Sequence, residues 1–407
     1  MKIVQINSVL NWGSTGKIAE QIGTCVIESG NSSFVVYGRD KGPVKTNSTP
    51  INISSKLGQY LHIAKSFLFD SHGLGSKTAT NKMILRLKQI KPDIVHIHNI
   101  HGYYINYPML FNYLRESNIP LVWTMHDCWG FTGHCTYFDM VNCDKWKTIC
   151  CNCPNISDYP KALFDNSKNN FVRKQNVFTS LQNVTLVPVS NWLGNLVAQS
   201  FMGKYPIKVI HNGIDLSVFR IKNNNLRTQL NLEGKKVVLG VSSNGFSGRK
   251  GLTDFHKLAN VLPSSYQIIM IGLSEEEMKS LPQNIIGLKR TTNVEELVDY
   301  YNIADVFINP TYSDNFPTTN IEALACGTPV ITYNTGGSPE AIDDLTGYVV
   351  QRGNIGDLKN AIEIIGSEFG KIKEQRQEYC RKRAVEHFNK NDRFNDYVKL
   401  YQKILNE

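Results

Sequence analysis

The 407-residue chain has no run of 18 apolar residues, which excludes a membrane-spanning helix. It has no internal repeat and no low-complexity tract, so neither a solenoid nor a largely disordered chain is expected. Three nucleotide and metal signatures are missing: the P-loop pattern, the Gly-x-Gly-x-x-Gly fingerprint and Asp-x-Asp. Residues 1–7 carry too short an apolar stretch, and too little of a cleavage pattern, for a secretory signal. They read as a strand, and the expected location is the cytoplasm. The first half is poor in acid: residues 1–205 hold 20 Lys and Arg against 11 Asp and Glu, whereas residues 206–407 hold 24 of each. The whole net charge of +9 therefore sits in the first half, which points either to an anionic partner there or to solubility alone.

What is present is ordinary for a globular protein, with 41% hydrophobic and 19% charged residues. The length fits two or three domains. Short apolar runs alternate with helical patterns, twice over. In the first half, strands are expected at 2–6, 34–37, 93–98, 121–124 and 184–189. In the second they are expected at 236–241, 266–272, 305–309 and 328–332. A helix is expected at about 318–325, with Gly327 just past its end, and the chain from 356 onward reads as helical. Strands alternating with helices build parallel, doubly wound sheets. The expected fold is α/β: two Rossmann-like domains facing a cleft, at 1–205 and 206–387, and a C-terminal helix at 388–407 packing back on the first. Ligands of such sheets sit beyond the carboxyl ends of the strands.

Four constellations fall there. Gly13-Ser14-Thr15-Gly16 lies between a strand and a helix, where small residues admit a ligand's anionic group; a plain tight turn is the alternative. Arg249-Lys250 sits in Ser247-Gly248-Arg249-Lys250-Gly251, suited to a diphosphate, or else is a solvated charge pair. Asp314 and Glu322 bracket Asn315-Phe316-Pro317-Thr318-Thr319-Asn320-Ile321. The backbone N–H groups of Phe316, Thr318 and Thr319 there form a helix-start anion site. Taken alone, Glu322 reads rather as a first-turn acid complementing the helix dipole. His126 ends the strand at 121–124, as a cleft residue or a structural histidine.

Together these resemble the family-4 glycosyltransferases of GT-B fold. Asp314-x7-Glu322-Ala323-Leu324-Ala325-Cys326-Gly327-Thr328-Pro329 is similar to their Glu-x7-Glu signature, with Asp in place of the first Glu. Gly336-Gly337-Ser338-Pro339-Glu340 resembles the Gly-Gly-x-x-Glu turn that follows it. Val209-Ile210-His211-Asn212-Gly213-Ile214-Asp215 resembles the inter-domain stretch. The resemblance runs in order over nearly the whole chain. It implies retaining transfer from a nucleotide-diphosphate sugar, with Glu322 on the ribose, Asp314 on the sugar, and Arg249 and Lys250 on the diphosphate. His126 and the Gly13–Gly16 loop would close the cleft. No enzymic nucleophile stands out, so front-face attack is expected with the leaving phosphate as base. No catalytic divalent metal is expected. A nucleotide-sugar 2-epimerase of the same shape is the rival enzyme.

Nine cysteines in a cytosolic chain indicate thiols or metal ligands rather than disulfides. Six lie between Cys128 and Cys153. This segment resembles the colanic-acid and exopolysaccharide subgroup, close in role to O-antigen synthesis. Cys135, Cys143, Cys150 and Cys153 form a candidate structural zinc site, with His126 and His134 as substitute ligands; reduced thiols packing an inserted loop are the alternative. A zinc module also raises nucleic-acid binding, but no nucleic-acid fold signature accompanies it, and no nucleic-acid partner is expected. Leu57, Tyr60, Leu61, Ala64, Phe67 and Leu68 share one face of a helical stretch beside Lys56, His62 and Lys65. That face either packs on the core or lies against an anionic membrane near a lipid-diphosphate-linked polysaccharide acceptor. The second alternative makes the protein peripheral on the inner face of the cell membrane.

Overall fold

A computed structural model describes residues 1–243 and 245–407. The chain divides into two compact units, Met1–His211 with Asn391–Glu407, and Asn212–Lys390. The first holds β1 (Lys2–Asn7), β2 (Ser32–Tyr37), β3 (Thr49–Asn52), β4 (Ile94–Ile97), β5 (Leu121–Met125) and β6 (Val184–Pro188). The second holds β7 (Lys236–Val241), β8 (Tyr266–Ile271), β9 (Ile285–Leu288), β10 (Val306–Asn309), β11 (Val330–Tyr333) and β12 (Gly347–Val350). Both sheets are parallel, in the orders β3-β2-β1-β4-β5-β6 and β12-β11-β10-β7-β8-β9. Counted within each unit, both orders are 3-2-1-4-5-6, the doubly wound Rossmann arrangement. The order reverses between β1 and β4, and between β7 and β10. The central strands are mostly apolar and buried, as strands covered on both faces require: β4 and β10 have no exposed residue.

Residues 206–211, assigned from sequence to the second domain, belong to the first. Ile207 bridges Leu186, and the Ile210 N–H donates to Pro188 O at 3.2 Å, so this segment continues along β6. The first unit is completed by the chain's last helix, Lys390–Asn406. Its Phe394, Tyr397, Val398, Leu400 and Tyr401 pack with Ile3, Ile22, Val26, Ile94 and Val122 in one core cluster. Tyr401 OH lies 2.6 Å from His96 Nδ1, and the Thr124 hydroxyl donates to Tyr397 OH at 3.1 Å.

The helix Lys56–Phe69 buries only His62 and Ser66. Its apolar face is not against the core: Leu57 is 72% exposed, Tyr60 70% and Leu61 62%, and Phe67, Leu68 and Phe69 are exposed too. Exposed Leu163 joins this face, its N–H donating to Phe67 O at 2.6 Å. None of the described helices is long and apolar enough to cross a membrane.

Candidate active site

In the second unit the loops after β7 and β10 meet at the point where strand order reverses. Arg249 and Lys250 form a short 3-10 turn, Gly248–Lys250, ahead of the helix Leu252–Val261. The Arg249 carbonyl accepts from Tyr312 N at 2.7 Å and from the Thr311 hydroxyl at 3.1 Å, which ties one loop to the other. The Lys250 ammonium donates to Asp314 Oδ2, and the Arg249 guanidinium lies 3.7 Å from the same oxygen while donating to Ser313 O. Burial alone raises the Asp314 carboxyl, but Lys250 and then Arg249 outweigh it and hold the group below its ordinary value. Three of the residues singled out in the sequence thus form one partly exposed charge cluster.

A carboxylate missed by the sequence reading holds the cationic loop in place. Buried Glu277 accepts from Phe246 N at 2.8 Å, and from Ser247 N at 2.6 Å and the Ser247 hydroxyl at 2.5 Å. Its second oxygen accepts from Ser274 N at 2.8 Å, and the Ser274 hydroxyl caps the Glu277 N–H. Glu277 therefore serves both the capping box of the helix Glu275–Lys279 and the loop before Arg249. The Ser-x-x-Glu spacing of that box was readable; its second duty was not.

Asp314 is followed by buried Asn315, Phe316 and Pro317, and the helix Thr318–Ala325 then begins without a side-chain cap. Phe316 packs on Phe388, ring centroids 5.7 Å apart. Thr318 and Thr319 are the first two residues of the helix. Glu322 is its fifth residue, so a first-turn acid complementing the dipole is not what the structure shows. The Tyr301 hydroxyl donates to Glu322 Oε2 at 2.8 Å. Buried Asn320, another residue not anticipated, accepts from Asn309 Nδ2 at 2.8 Å and donates to Ser338 O at 3.1 Å. That pins the helix start to the turn at 336–338. Gly336 has φ +55°, and a Cβ there would lie 1.8 Å from Asp314 O, so no larger residue fits.

In the first unit the Gly13–Gly16 stretch is not a turn preceding a helix. It is the first turn of the helix Gly13–Glu28, entered through Gly13 at φ +62°. Gly13 and Ser14 are exposed, while Gly16 is buried against Val9 and Asn11. His126 follows β5 and is partly exposed; its Nε2 lies 3.1 Å from His98 Nδ1.

Cys135, Cys143, Cys150 and Cys153 line one cavity of about 20 Å³ together with His134 and Trp146. The Gly133 N–H donates to Cys150 Sγ at 3.2 Å. Buried His134 turns Nδ1 to Asp70 Oδ1 at 2.6 Å, and no hydrogen-bond partner reaches its Nε2. Lys174, fully buried, donates to Trp129 O at 2.7 Å and Thr132 O at 3.0 Å and lies over the Trp129 ring. Soft sulfur donors suit zinc. Among the described residues, however, no group of three or more His, Cys, Asp and Glu is assembled as a metal-holding set.

Two Rossmann-like units of identical strand order, with cations after β7 and an acid after β10, are the architecture of a GT-B glycosyltransferase. Solved structures share it across the whole chain. Sucrose-phosphate synthase from Thermosynechococcus elongatus superposes with a TM-score of 0.71 at 18% identity, covering 99% of this chain and 98% of that one. Anabaena HepE in complex with UDP gives 0.69 at 14%, covering 99% and 100%. The family model Glycosyltransferase Family 4 matches residues 25–218, and Glycosyl transferases group 1 matches residues 222–385. A protein of Escherichia coli carrying the name colanic acid biosynthesis glycosyl transferase WcaC is 24% identical over 99% of this chain and 100% of its own. The capsular polysaccharide biosynthesis glycosyltransferase CapM of Staphylococcus aureus is 26% identical over 48% of this chain and 54% of its own. The chain belongs to the family-4 glycosyltransferases and is an enzyme of that kind.

Proposed function

We propose that this enzyme transfers a sugar, with retention, from a nucleotide-diphosphate sugar to a growing lipid-linked bacterial polysaccharide. The observation that carries the reading is the cluster of Arg249, Lys250 and Asp314 at the point of strand reversal, eight residues before Glu322. The donor diphosphate would replace Asp314 as the partner of both cations. As the glycosidic bond breaks, negative charge grows on the leaving phosphate, and preorganised cations stabilise it most at that moment. Glu322, steadied by Tyr301, would accept from the ribose hydroxyls, and Asp314, released from Lys250, from the sugar. The uncapped N–H groups of Thr318 and Thr319 would add to the anion site. The names of WcaC and CapM support a polysaccharide acceptor, and the complexes of HepE with UDP and with UDP-glucose support a nucleotide-sugar donor.

The test is a thermal-shift screen of nucleotide sugars on the wild type and on Glu322→Ala. A donor at 100 times its Kd adds about 2.7 kcal/mol of stability. Glu322→Ala should lose most of that gain while remaining folded. Wild-type transfer kinetics in Glu322→Ala would refute the donor site, and turnover of the donor without any acceptor would favour the 2-epimerase.

Two further elements belong to this reading. Cys135, Cys143, Cys150 and Cys153 would hold a structural zinc, the shell closing as metal binds; His134 Nε2, set by Asp70, is the substitute donor. This is supported by the shared cavity and by the backbone donor to Cys150. The exposed face of Lys56–Phe69, in the basic half of the chain, would rest on an anionic membrane surface and bring the lipid-linked acceptor near.

A further inference from the structure

The strand order of the first sheet reverses between β1 and β4, with β2 and β5 next outside them. Ligands of such sheets gather beyond the carboxyl ends at that point. Arg39 follows β2, His101 and Tyr103 follow β4, Asp127 follows β5, and Tyr159 comes from the stretch after Cys153. Asp127 Oδ2 lies 2.7 Å from His101 Nε2, and its Oδ1 accepts from Trp129 N at 2.9 Å. Burial raises the Asp127 carboxyl, but His101 and then the Trp129 N–H outweigh it and hold the group below its ordinary value. It is therefore ionised near pH 7 and only accepts, so His101 donates to it from Nε2. The other ring nitrogen, Nδ1, lies 3.2 Å from the Tyr159 hydroxyl. Asp127 thus fixes His101, and His101 fixes Tyr159.

Tyr159 meets His72 and Tyr103 at steep angles, 85° and 84°, rather than stacking on them. It stays 42% exposed, whereas His72 is buried. Tyr103 is held in a left-handed backbone, φ +67°, which a bulky residue rarely adopts. The Ser76 hydroxyl donates to its carbonyl at 3.2 Å, and Gly102 N, just before it, donates to His72 Nε2 at 3.0 Å. Strain of this kind persists only where the surroundings over-determine it, and it collects at ligand sites.

Arg39 lies beside that loop. Its N–H donates to Ser8 O at 2.9 Å, and a Cβ on Gly102 would lie 3.6 Å from its Cδ. The side chain is half-buried, yet no described residue gives its guanidinium a hydrogen bond or an ion pair. The neighbouring acids are engaged elsewhere: Asp40 accepts from Gly42 N and Asn52 Nδ2, and Asp127 from His101. The Arg39 charge reaches both tyrosines: burial is the largest cause of their raised pKa values, and Arg39 acts against it in each. A guanidinium is a planar fork that takes a carboxylate or a phosphate by two parallel bonds. The electron-rich face of a tyrosine ring suits the weakly positive C–H groups on one face of a pyranose.

We propose that Arg39 and Tyr159 form an acceptor subsite for a sugar that carries an oxyanion, the guanidinium taking the carboxylate or phosphate and the tyrosine ring the C–H face. The proposal rests on the reading of the acceptor as a polysaccharide and adds that this polysaccharide is acidic. It also gives the cysteine-rich segment a part in acceptor choice, because that segment leads into Tyr159.

Saturation-transfer NMR on the full-length enzyme measures three probes: methyl glucoside, methyl glucuronide and glucose 6-phosphate. At least one charged probe should bind about tenfold tighter than the neutral one, as for a charge-assisted hydrogen bond, and the tighter of the two identifies the oxyanion. Arg39→Gln should bring the charged probes down to the neutral level. Tyr159→Phe should keep most of the binding, and Tyr159→Ala should weaken all three probes. No binding of any probe, equal binding of charged and neutral probes, or undiminished binding in Arg39→Gln would overturn the subsite, and these decide it even if Tyr159→Ala folds poorly. Charged probes lost in Lys250→Ala instead of Arg39→Gln would place them on the donor cations and overturn it equally. The transferase reading fails by a different sign, the absence of any thermal shift with nucleotide sugars.

Discussion

Glu277→Gln isolates what one buried carboxylate does for the loop that carries Arg249 and Lys250. Glu277 takes four donors, three on one oxygen and one on the other. Glutamine is nearly the same shape. If its oxygen takes the place of Oε1, three bonds survive, but its NH2 then faces the Ser274 N–H and that bond becomes a clash of donors. The survivors also lose their charge assistance. A hydrogen bond to a charged group contributes roughly 1.5–3 kcal/mol, against about 1 for a neutral one, so the substitution should cost about 2 kcal/mol. For a unit of this size that lowers Tm by about 4–8 °C. Glu277→Ala removes all four bonds and should cost more. The pH dependence gives a second readout. Burial raises the Glu277 carboxyl, but the Ser247 hydroxyl and the N–H groups of Ser274, Phe246 and Ser247 outweigh it, and the folded-state pKa lies below the ordinary value. A depressed acid pKa contributes stability that is present above the unfolded-state value, about 4.3, and is lost as pH falls through the folded-state value. The gap between wild type and Glu277→Gln should therefore be full at neutral pH and narrow below about pH 4. Calorimetric scans from pH 3 to 8 measure both. Equal Tm values at pH 7, or a gap that widens in acid, would refute the reasoning.

Arg249→Ala and Lys250→Ala should each lower kcat more than they raise the donor Kd, since the charge they meet is greatest in the transition state; a pure affinity loss in presteady-state binding would count against that role. Elemental analysis of purified protein should find about one zinc per chain, and chelation should lower Tm, whereas metal-free protein with Cys135, Cys143, Cys150 and Cys153 all reactive would remove the zinc site. The intact enzyme should float with anionic but not neutral liposomes and release as salt rises; charging the exposed face, as in Leu61→Glu, should abolish flotation, and equal binding to both lipids would point to a soluble acceptor.

The sequence showed the central strands of both sheets and lost three of the edges. β3, β9 and β12 are four-residue strands at sheet edges. β3 contains Pro50, and β9 and β12 each contain a glycine. Such strands pair on one side only and carry little apolar signal. The clustering of Arg249, Lys250 and Asp314 was legible because their loops follow β7 and β10, the two strands on either side of the reversal point, whose carboxyl ends lie together. Their supports were not. Glu277 reaches the loop before Arg249 from 30 residues away in sequence, Tyr301 reaches Glu322 from 21, and Asn320 ties the helix start to Ser338, 18 residues on; no local pattern encodes such contacts. The apolar face at 57–68 was visible from its spacing, yet spacing alone does not separate a core-facing helix from an exposed one.

The docking of the Lys390–Asn406 helix into the first unit has a consequence for how the protein is made. The second unit is one unbroken stretch, Asn212–Lys390, all of it made before the helix that closes the first unit. The first unit begins earlier and cannot be completed until that helix is made. Until the final helix emerges, the side chains of Ile3, Ile94 and Val122 lack their apolar cover, and His96 and Thr124 lack the tyrosine hydroxyls that meet them. The domain translated first is thus sealed last. A premature stop just after residue 390, before Phe394, would release a chain whose second unit is whole, while an exposed seam in the first invites aggregation.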